Sequence, residues 1–170
     1  MSRLHSAALY LGLLAIAGCR IEDHTPTGSR RDEEAVQSLV AGYARSFSER
    51  DWSGARALFW PDASYSGPLL PITAGAHQAV PIDFALSAIA RRLEGLGLQR
   101  FDLRVLRADF RQEGELAGVW MTTRRRLPVA GDVVEGDWIE HLVLRRIDGQ
   151  WRILSVTAIA APRGGPRERR

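Results

Sequence analysis

The hydrophobic periodicity of this 170-residue chain changes once, near residue 100, and this change restricts the folds that the chain can adopt. Before it, apolar residues recur at steps of three and four, as they do along the buried face of a helix. Asp32 and Asp51 are placed to cap two such helices, and Pro81 suits the first turn of a third. The second helix is expected to include Phe59 and to stop at Pro61. The apolar stripe of the first helix comprises Val36, Leu39, Val40, Tyr43 and Phe47.

After residue 100 the sequence is rich in β-branched and aromatic residues, in four segments separated by turn residues. The Asp148-Gly149 pair is a strong hairpin signal, because both residues tolerate the positive φ angles of a tight turn. Helices followed by an antiparallel meander predict an α+β fold, with three helices packed on one face of a four-stranded sheet. The predicted strands are 101–110, 115–127, 133–147 and 150–160.

The start of the chain has the pattern of a secretion signal. Arg3 gives it a positive charge, and residues 7–18 form an apolar run of 12 residues. At 1.5 Å per residue that run is too short to cross about 30 Å of hydrocarbon, but it suits the apolar part of a signal peptide. The run ends in Ile16-Ala17-Gly18-Cys19, which resembles the lipobox of bacterial lipoproteins. An ordinary secretory signal with an incidental cysteine is the alternative.

The lipoprotein resemblance implies where the chain resides and how it is divided. In that family the chain is cut before the cysteine, and acyl chains such as palmitate on the thiol and the new N-terminus anchor it firmly in a membrane. Arg20, rather than an aspartate, follows Cys19, which favours the bacterial outer membrane, facing the periplasm. The predicted divisions are a signal peptide at 1–18, the acylated cysteine and a polar tether at 19–31, one folded domain at 32–161, and a disordered basic tail at 162–170.

The charge and the cysteine content exclude several classes of function. All 23 basic residues are arginine, and the formal net charge is +3. Residues 32–161 contain 15 arginines and 17 acidic residues, a net charge of −2, so the positive charge lies at the two ends of the chain. A nucleic-acid-binding protein carries that charge as a patch on its folded body, so no nucleic-acid partner is expected. A single cysteine excludes an intramolecular disulfide, a cysteine-based zinc site and dithiol redox chemistry.

Several short motifs of the predicted domain occur together in a known superfamily. A long first helix is followed by Asp51-Trp52, by the segment Pro-Asp-Ala-Ser-Tyr-Ser-Gly-Pro at 61–68, and finally by Asp-Gly-Gln-Trp-Arg-Ile at 148–153. In this order, over about residues 32–161, they resemble the nuclear-transport-factor-two-like superfamily. The resemblance implies a cone-shaped fold, in which a strongly curved antiparallel sheet wraps the long N-terminal helix around a pocket. Members range from isomerases, dehydratases and SnoaL-like polyketide cyclases to plain ligand binders, so the fold does not give the function.

The ketosteroid isomerase branch of this superfamily allows a comparison residue by residue. Its first-helix tyrosine, which donates to the substrate oxygen, corresponds to Tyr43, eight residues before Asp51. Its second donor is an acid in an Ile-acid-His segment, and Glu140 stands at that position. Its general base is an aspartate directly before a proline, and here Gly67 precedes Pro68. The resemblance therefore implies that this chain does not carry out that reaction by that route.

Glu140 is the strongest candidate functional residue. In the segment 133–147 the even positions are the more apolar, so Glu140 is expected on the concave face of the sheet, beside Tyr43. A carboxyl group in such a row either stays protonated or is paired with a cation. It then either serves a ligand as a proton donor or acceptor, or is a structural group bonded to Tyr43 or to an arginine such as Arg104 or Arg124.

The remaining polar candidates carry weaker signals. His77 lies in the loop before the third helix, near the pocket mouth that the resemblance implies. His77 and Asp62 are the candidate bases. The alternative for His77 is a surface position without a catalytic role. His141 adjoins Glu140 and so is expected on the outer face of the sheet. Arg124 and Arg126 share a strand face and are expected to be solvated or ion-paired.

No pattern in the sequence indicates a cofactor. A glycine-rich phosphate loop, a His/Asp metal cluster and a Gly-x-Ser-x-Gly elbow are all missing, so neither a cofactor nor a metal ion is expected. The aromatic residues of the domain are expected to form core or pocket wall. The predicted pocket lining comprises Tyr43, Trp60, Tyr65, Trp120, Trp138 and Glu140.

Two functions from different classes remain open. The first is a lipid-anchored domain that binds a small apolar ligand or a partner protein without catalysis. The second is an acid/base isomerase, dehydratase or cyclase acting on a small carbonyl or hydroxyl compound. In that case Tyr43 and Glu140 polarise the substrate, and His77 or Asp62 is the base. Association of two copies through the outer face of the sheet, which is common in the superfamily, is also expected.

Overall fold

The computed structural model describes residues 30–70, 78–96, 101–129 and 132–161. The predicted signal peptide, Cys19, His77 and the tail at 162–170 lie outside the described residues. Among the helices described, none is both long enough and apolar enough to cross a lipid bilayer. The helices are α1 (Arg30–Glu49), α2 (Trp52–Ala57) and α3 (Ile82–Gly95). The strands are β1 (Phe59–Ser66), β2 (Val80–Pro81), β3 (Asp102–Glu113), β4 (Leu116–Val129), β5 (Asp132–Ile147) and β6 (Gln150–Ala160).

The strands form one mixed sheet in the order β2-β1-β6-β5-β4-β3. β3 to β6 are the antiparallel meander predicted from the sequence, and their bounds differ from the prediction by at most three residues. The α+β class is therefore confirmed. The sheet has six strands rather than four, because β1 and β2 precede α3, and β1 runs parallel to its neighbour β6.

β1 occupies a segment whose start was predicted to be helical. α2 begins after Asp51, whose side chain caps it as predicted by accepting a hydrogen bond from the Gly54 N–H at 2.9 Å, but the helix ends at Ala57. β1 pairs with β6 at Phe59 and again from Ser64 onward, with a register shift in between. Pro61 lies in that interval, where β1 needs no backbone N–H for the β6 ladder. A proline that indicates the end of a helix is thus equally compatible with a strand whose pairing is interrupted.

The turn between β5 and β6 has the geometry that its sequence predicts. Asp148 and Gly149 have φ angles of 52° and 76°, positive at both central positions, as in the two-residue turns that match the twist of a hairpin. This hairpin belongs to a sheet in which the two faces alternate along each strand. On β5, Glu140 and Leu142 are fully buried, whereas His141 between them is partly exposed. Glu140 therefore lies on the concave face, as the hydrophobic pattern indicated.

α1 packs its apolar stripe into the concave side of the sheet, and its first turn is fixed there by Asp32. The helix begins at Arg30, so Asp32 lies within its first turn rather than at the cap position that the sequence predicted. The Asp32 carboxylate is buried and accepts hydrogen bonds from Arg146 Nη1 at 2.7 Å, Trp151 Nε1 at 2.9 Å and Gln112 Nε2 at 3.3 Å. Since these donors belong to β5, β6 and β3, one carboxylate attaches the start of α1 to three strands.

Asp32→Ala is expected to lower the free energy of unfolding of the full-length chain by about 2–3 kcal/mol, because the buried donors of Trp151 and Gln112 lose a charged acceptor. Glu33→Ala is the matched control. Glu33 is the next residue of the same turn and is exposed, so its loss should change stability little. Urea unfolding followed by circular dichroism measures both variants. Equal losses would contradict the anchoring role of Asp32.

Candidate functional site

Four polar side chains meet between α1 and the concave face of the sheet. Glu140 is fully buried and accepts hydrogen bonds from three of them. Tyr43 Oη donates to Oε2 at 2.9 Å, while Thr123 Oγ1 and Arg125 Nη2 donate to Oε1 at 2.5 and 2.8 Å. Tyr43 and Thr123 are fully buried, and Arg125 is 1% exposed. We call Tyr43, Thr123, Arg125 and Glu140 the buried polar cluster.

Strand alternation and register bring this cluster together. Thr123 and Arg125 are two residues apart on β4, so both point to the concave face, whereas Arg124 between them points outward. On the neighbouring strand, Glu140 pairs with Met121 of β4, which places Thr123 diagonally across from it. Tyr43 enters from the other side, on the buried stripe of α1.

Arg125 and Glu140 form a buried ion pair. Burial lowers the pKa of Arg125, but the nearby Glu140 carboxylate, together with the Tyr65 and Tyr43 phenols, more than offsets this, so the pKa lies above its ordinary value and the guanidinium stays charged. The Cζ atom of Arg125 also lies 4.5 Å from the centre of the Trp138 ring, which is a cation–π contact. Both carboxylate oxygens of Glu140 are engaged, so the carboxylate acts as the acceptor that organises the cluster.

Two tyrosine hydroxyls in this interior remain protonated at neutral pH. Burial raises the pKa of Tyr43 well above its ordinary value, and the adjacent Glu140 raises it further. Tyr65, on β1, is also fully buried. Burial raises the pKa of Tyr65 as well, although the nearby Arg125 opposes part of this rise. Both phenols are therefore hydrogen-bond donors rather than proton acceptors.

Tyr65 and Arg125 lie next to each other in this interior. The hydroxyl of Tyr65 and the Nε and Nη1 groups of Arg125 are buried and have no other hydrogen-bond partner among the described residues, and the Arg125 side chain lowers the pKa of Tyr65 through its charge and through a hydrogen bond. Gly67 lies directly beside the Tyr65 hydroxyl, since a Cβ atom built on Gly67 would be 2.9 Å from Tyr65 Oη and 3.0 Å from Ala158 Cβ. A side chain at position 67 would therefore have to displace the phenol.

A separate cavity of about 570 Å³ lies between α1 and the edge strand β3. This volume is within the range of small-molecule pockets. The cavity adjoins the buried polar cluster, because Val105 in its wall lies opposite Thr123 on the neighbouring strand. The lining is mostly apolar and includes Val36, Val40, Ala41, Val105, Phe110 and Val119.

Comparison with protein families gives this fold a name. The chain matches the family model of the SnoaL-like domain over residues 29–157. The protein belongs to the SnoaL-like domain family. The predicted membership of the nuclear-transport-factor-two-like superfamily is thereby confirmed. No curated protein matches the sequence.

Solved structures that share the fold of this SnoaL-like domain share little of its sequence. An uncharacterized protein with a cystatin-like fold from Caulobacter vibrioides is 14% identical, with a TM-score of 0.64 over 78% of this chain and 92% of that one. A protein of unknown function with a cystatin-like fold from Nostoc punctiforme is 15% identical, with a TM-score of 0.62 over 79% and 95%. The hexachlorocyclohexane dehydrochlorinase LinA-type3 from Novosphingobium barchaimii is 11% identical, with a TM-score of 0.66 over 78% and 88%. At these identities the likeness establishes the fold alone.

Thr123 and Arg125 are the members of the buried polar cluster that the sequence patterns did not single out. The cation expected beside Glu140 was Arg104 or Arg124, but both of these form ion pairs with aspartates at more exposed positions. Arg125 occupies that place instead. The alternation that puts Arg124 and Arg126 on the outer face necessarily puts the arginine between them on the inner face, so the signal was present in the sequence.

One aromatic residue predicted to line the pocket lies elsewhere. Trp120 is 55% exposed and stacks on His141, on the convex face of the sheet, with ring centroids 4.3 Å apart. Trp120 was assigned to the interior by residue type, and the phase of the strand overrides that preference. Trp60 is half-buried and packs against the hydrophobic core, and the Cζ atom of Arg152 lies 5.3 Å from its ring. Contact between two copies through this convex face stays a prediction.

The candidate bases have different positions. Asp62 is an exposed residue of β1 and makes no hydrogen bond to the buried polar cluster. His77 lies outside the described residues. Within the part of the chain that the structure describes, no three His, Cys, Asp or Glu side chains are grouped so as to hold a metal ion.

Glu140→Gln is expected to lower the free energy of unfolding by about 3–5 kcal/mol, because it leaves the buried Arg125 guanidinium without a counter-charge. Asp137→Asn is the matched control, since it removes one charge from the more exposed pair with Arg124 on the same two strands and should change stability little. Urea unfolding of the full-length chain measures both.

A double variant separates the charge effect from a general loss of packing. Arg125→Met combined with Glu140→Gln removes both charges but keeps a side-chain oxygen that can accept from Tyr43 or Thr123, and it should recover most of the stability that Glu140→Gln alone loses. A double variant less stable than Glu140→Gln would contradict this account of the ion pair.

Proposed function

We propose that this SnoaL-like domain binds a small, largely apolar ligand without changing it chemically, and that acylated Cys19 holds it at the bacterial cell envelope. The observation that carries the first part is the state of Glu140. Its two carboxylate oxygens already accept three hydrogen bonds, one of them from a buried guanidinium. With both oxygens bonded to side chains of the protein, this carboxylate has little capacity left to bind or polarise a substrate.

The other groups of this interior support the same conclusion. At neutral pH the other ionisable groups beside Glu140 are donors, namely two phenols and a guanidinium, because their pKa values are raised. Acid/base catalysis needs a proton acceptor within about 3 Å of the substrate atom that loses the proton. The position at which the ketosteroid isomerase resemblance places that acceptor is Gly67, and the Tyr65 hydroxyl takes up the adjoining space.

The cavity beside α1 supports binding of a ligand. Its volume of about 570 Å³ and its apolar walls suit a molecule of small-drug size. Val105 and Val119 in the cavity wall belong to the sheet, beside the buried polar cluster. The side chains of that cluster are held by hydrogen bonds to one another. Binding in such a site needs little reorganisation of the protein.

The envelope location is supported by the sequence. The lipobox-like segment ends at Cys19, and α1 begins at Arg30, which leaves ten residues between them. Ten extended residues span at most about 35 Å, so the domain would stay close to the membrane surface.

An acid/base enzyme is the alternative function. The observation that favours it is the likeness in fold to a hexachlorocyclohexane dehydrochlorinase, together with the Tyr43–Glu140 hydrogen bond. It would require a base from elsewhere in the chain, for which Asp62 and His77 are the candidates.

Cys19→Ala is expected to move the protein from the membrane fraction to the soluble fraction of bacterial cells, because the acylation site is lost. Fractionation followed by immunoblotting measures the distribution, with wild-type protein, released only by detergent, as the reference. A variant that still requires detergent for its release would contradict anchoring through this cysteine.

Ala41→Trp is expected to reduce binding of the apolar fluorescent probe N-phenyl-1-naphthylamine by at least about fivefold, because the indole fills the cavity beside α1. The probe is titrated into vesicles that carry the full-length chain, and protein-free vesicles give the baseline. Ala35→Trp is the matched control, since Ala35 is an exposed alanine of the same helix outside the cavity lining. Equal binding by the two variants would contradict a ligand site in this cavity.

A further inference from the structure

The cavity beside α1 is polar at one end and apolar along the rest of its length. On α1 its lining runs from Glu33 to Ala41, eight residue steps that span about 12 Å of helix. Glu33 and Gln37 lie one turn apart at the N-terminal end, where the Gln37 amide donates to Glu33 Oε1 at 3.3 Å. Apart from these two and Asp109, the lining residues are apolar. A ligand lying along α1 would therefore have its apolar body between α1 and β3 and its polar group beside Glu33.

The ionisable side chains in the cavity lining are acidic. The described lining residues include Glu33 and Asp109 but no arginine, although residues 32–161 contain 15 arginines. The charge of Asp109 is compensated, because Arg107 Nε lies 2.9 Å from its carboxylate. Asp109 is also the cross-strand partner of Trp120, so its side chain lies with that of Trp120 on the convex face. The charge that a ligand meets in the cavity is therefore that of Glu33.

Glu33 has no ion-pair partner in the part of the chain that the structure describes. Glu34, the next acid of the same turn, is paired with Arg30. Arg31 lies two residues before Glu33, and residues at that spacing on a helix do not face each other. The partial positive charge at the N-terminus of α1 is smaller than the full charge of one carboxylate. The polar end of the cavity therefore attracts a cation.

We propose that the ligand of this cavity is an apolar amine, whose ammonium group binds Glu33 and whose hydrocarbon body lies along α1. The inference rests on the proposed function and names the class of the ligand. An ammonium group has three donors and no acceptor, so it suits a carboxylate that accepts one hydrogen bond, from Gln37, and has no counter-charge. A ligand carboxylate would place a second negative charge at the same end of the cavity, so apolar acids are excluded in favour of apolar amines.

Three probes that share one naphthalene ring test the charge of the ligand: 1-naphthalenemethylammonium, 1-naphthalenemethanol and 1-naphthoate. Equilibrium dialysis compares phosphatidylcholine vesicles that carry the full-length chain with protein-free vesicles of the same lipid, so that partition into the bilayer cancels. At physiological ionic strength the ammonium probe is expected to bind about threefold more tightly than the alcohol and about tenfold more tightly than the carboxylate, as suits an ion pair at an exposed mouth. Both ratios should increase when the salt concentration is lowered.

Two glutamate variants locate the charge that selects the amine. Glu33→Gln keeps the shape of the side chain and removes its charge, so the ratio of ammonium to alcohol affinity should fall to about one. Glu34→Gln is the matched control, because it removes the same charge from the next residue, which lies outside the cavity lining and is paired with Arg30. It should retain the threefold preference. Ala41→Trp, which fills the cavity, should weaken the binding of all three probes.

The inference is overturned if the wild type binds the alcohol or the carboxylate as tightly as the ammonium probe. It is also overturned if Glu34→Gln lowers the ammonium preference as much as Glu33→Gln does, because the general field of the first turn, rather than contact with Glu33, would then attract the cation. In both cases, binding of the alcohol that Ala41→Trp weakens would show that the proposed ligand-binding function survives. Failure of all three probes to bind would overturn that function as well.

Discussion

The buried ion pair between Arg125 and Glu140 is the interaction on which the interior of this domain depends. It joins β4 to β5, and the hydrogen bond from Tyr43 extends it to α1. Two charges in an apolar interior are tolerated only when both are compensated, and removing one partner exposes the full cost of burying the other. The carboxylate of Glu140 accepts three hydrogen bonds, so it is the acceptor around which the other three side chains of the cluster are arranged.

The regular parts of the fold were predictable because they depend on local patterns. The stripe of α1, the Asp51 cap and the meander from β3 to β6 follow from periodicity and capping, and the Asp148-Gly149 turn follows from its φ angles. β1 was not predictable in this way. It is held by parallel pairing to β6, which is about ninety residues later in the chain, and its proline lies where that pairing is interrupted. A local pattern contains no information about such a distant partner.

The polar interior was only partly predictable for a related reason. The phase of β5 placed Glu140 on the concave face, and the resemblance to ketosteroid isomerase placed Tyr43 opposite it; the hydrogen bond between them agrees with both. Arg125 was not recognised as an interior residue because it stands among three consecutive arginines. Which of the three points inward depends on which alternate positions of the strand face the concave side. Trp120 shows the opposite error, in which a large apolar residue was taken as interior although its strand position turns it outward. In β-rich segments, the position of a residue in the strand alternation therefore predicts whether its side chain is buried better than its residue type does.

The attachment of Asp32 has a mechanical consequence under the proposed anchoring through Cys19. A pull from the membrane would reach α1 at Arg30, and a helix loaded at its end unfolds turn by turn unless its first turn is held. Here one carboxylate attaches that turn to Arg146, Trp151 and Gln112. Tension would therefore pass directly into the sheet, where many backbone hydrogen bonds share the load. The domain would then change its position and orientation at the membrane surface without its central helix being unfolded from the end.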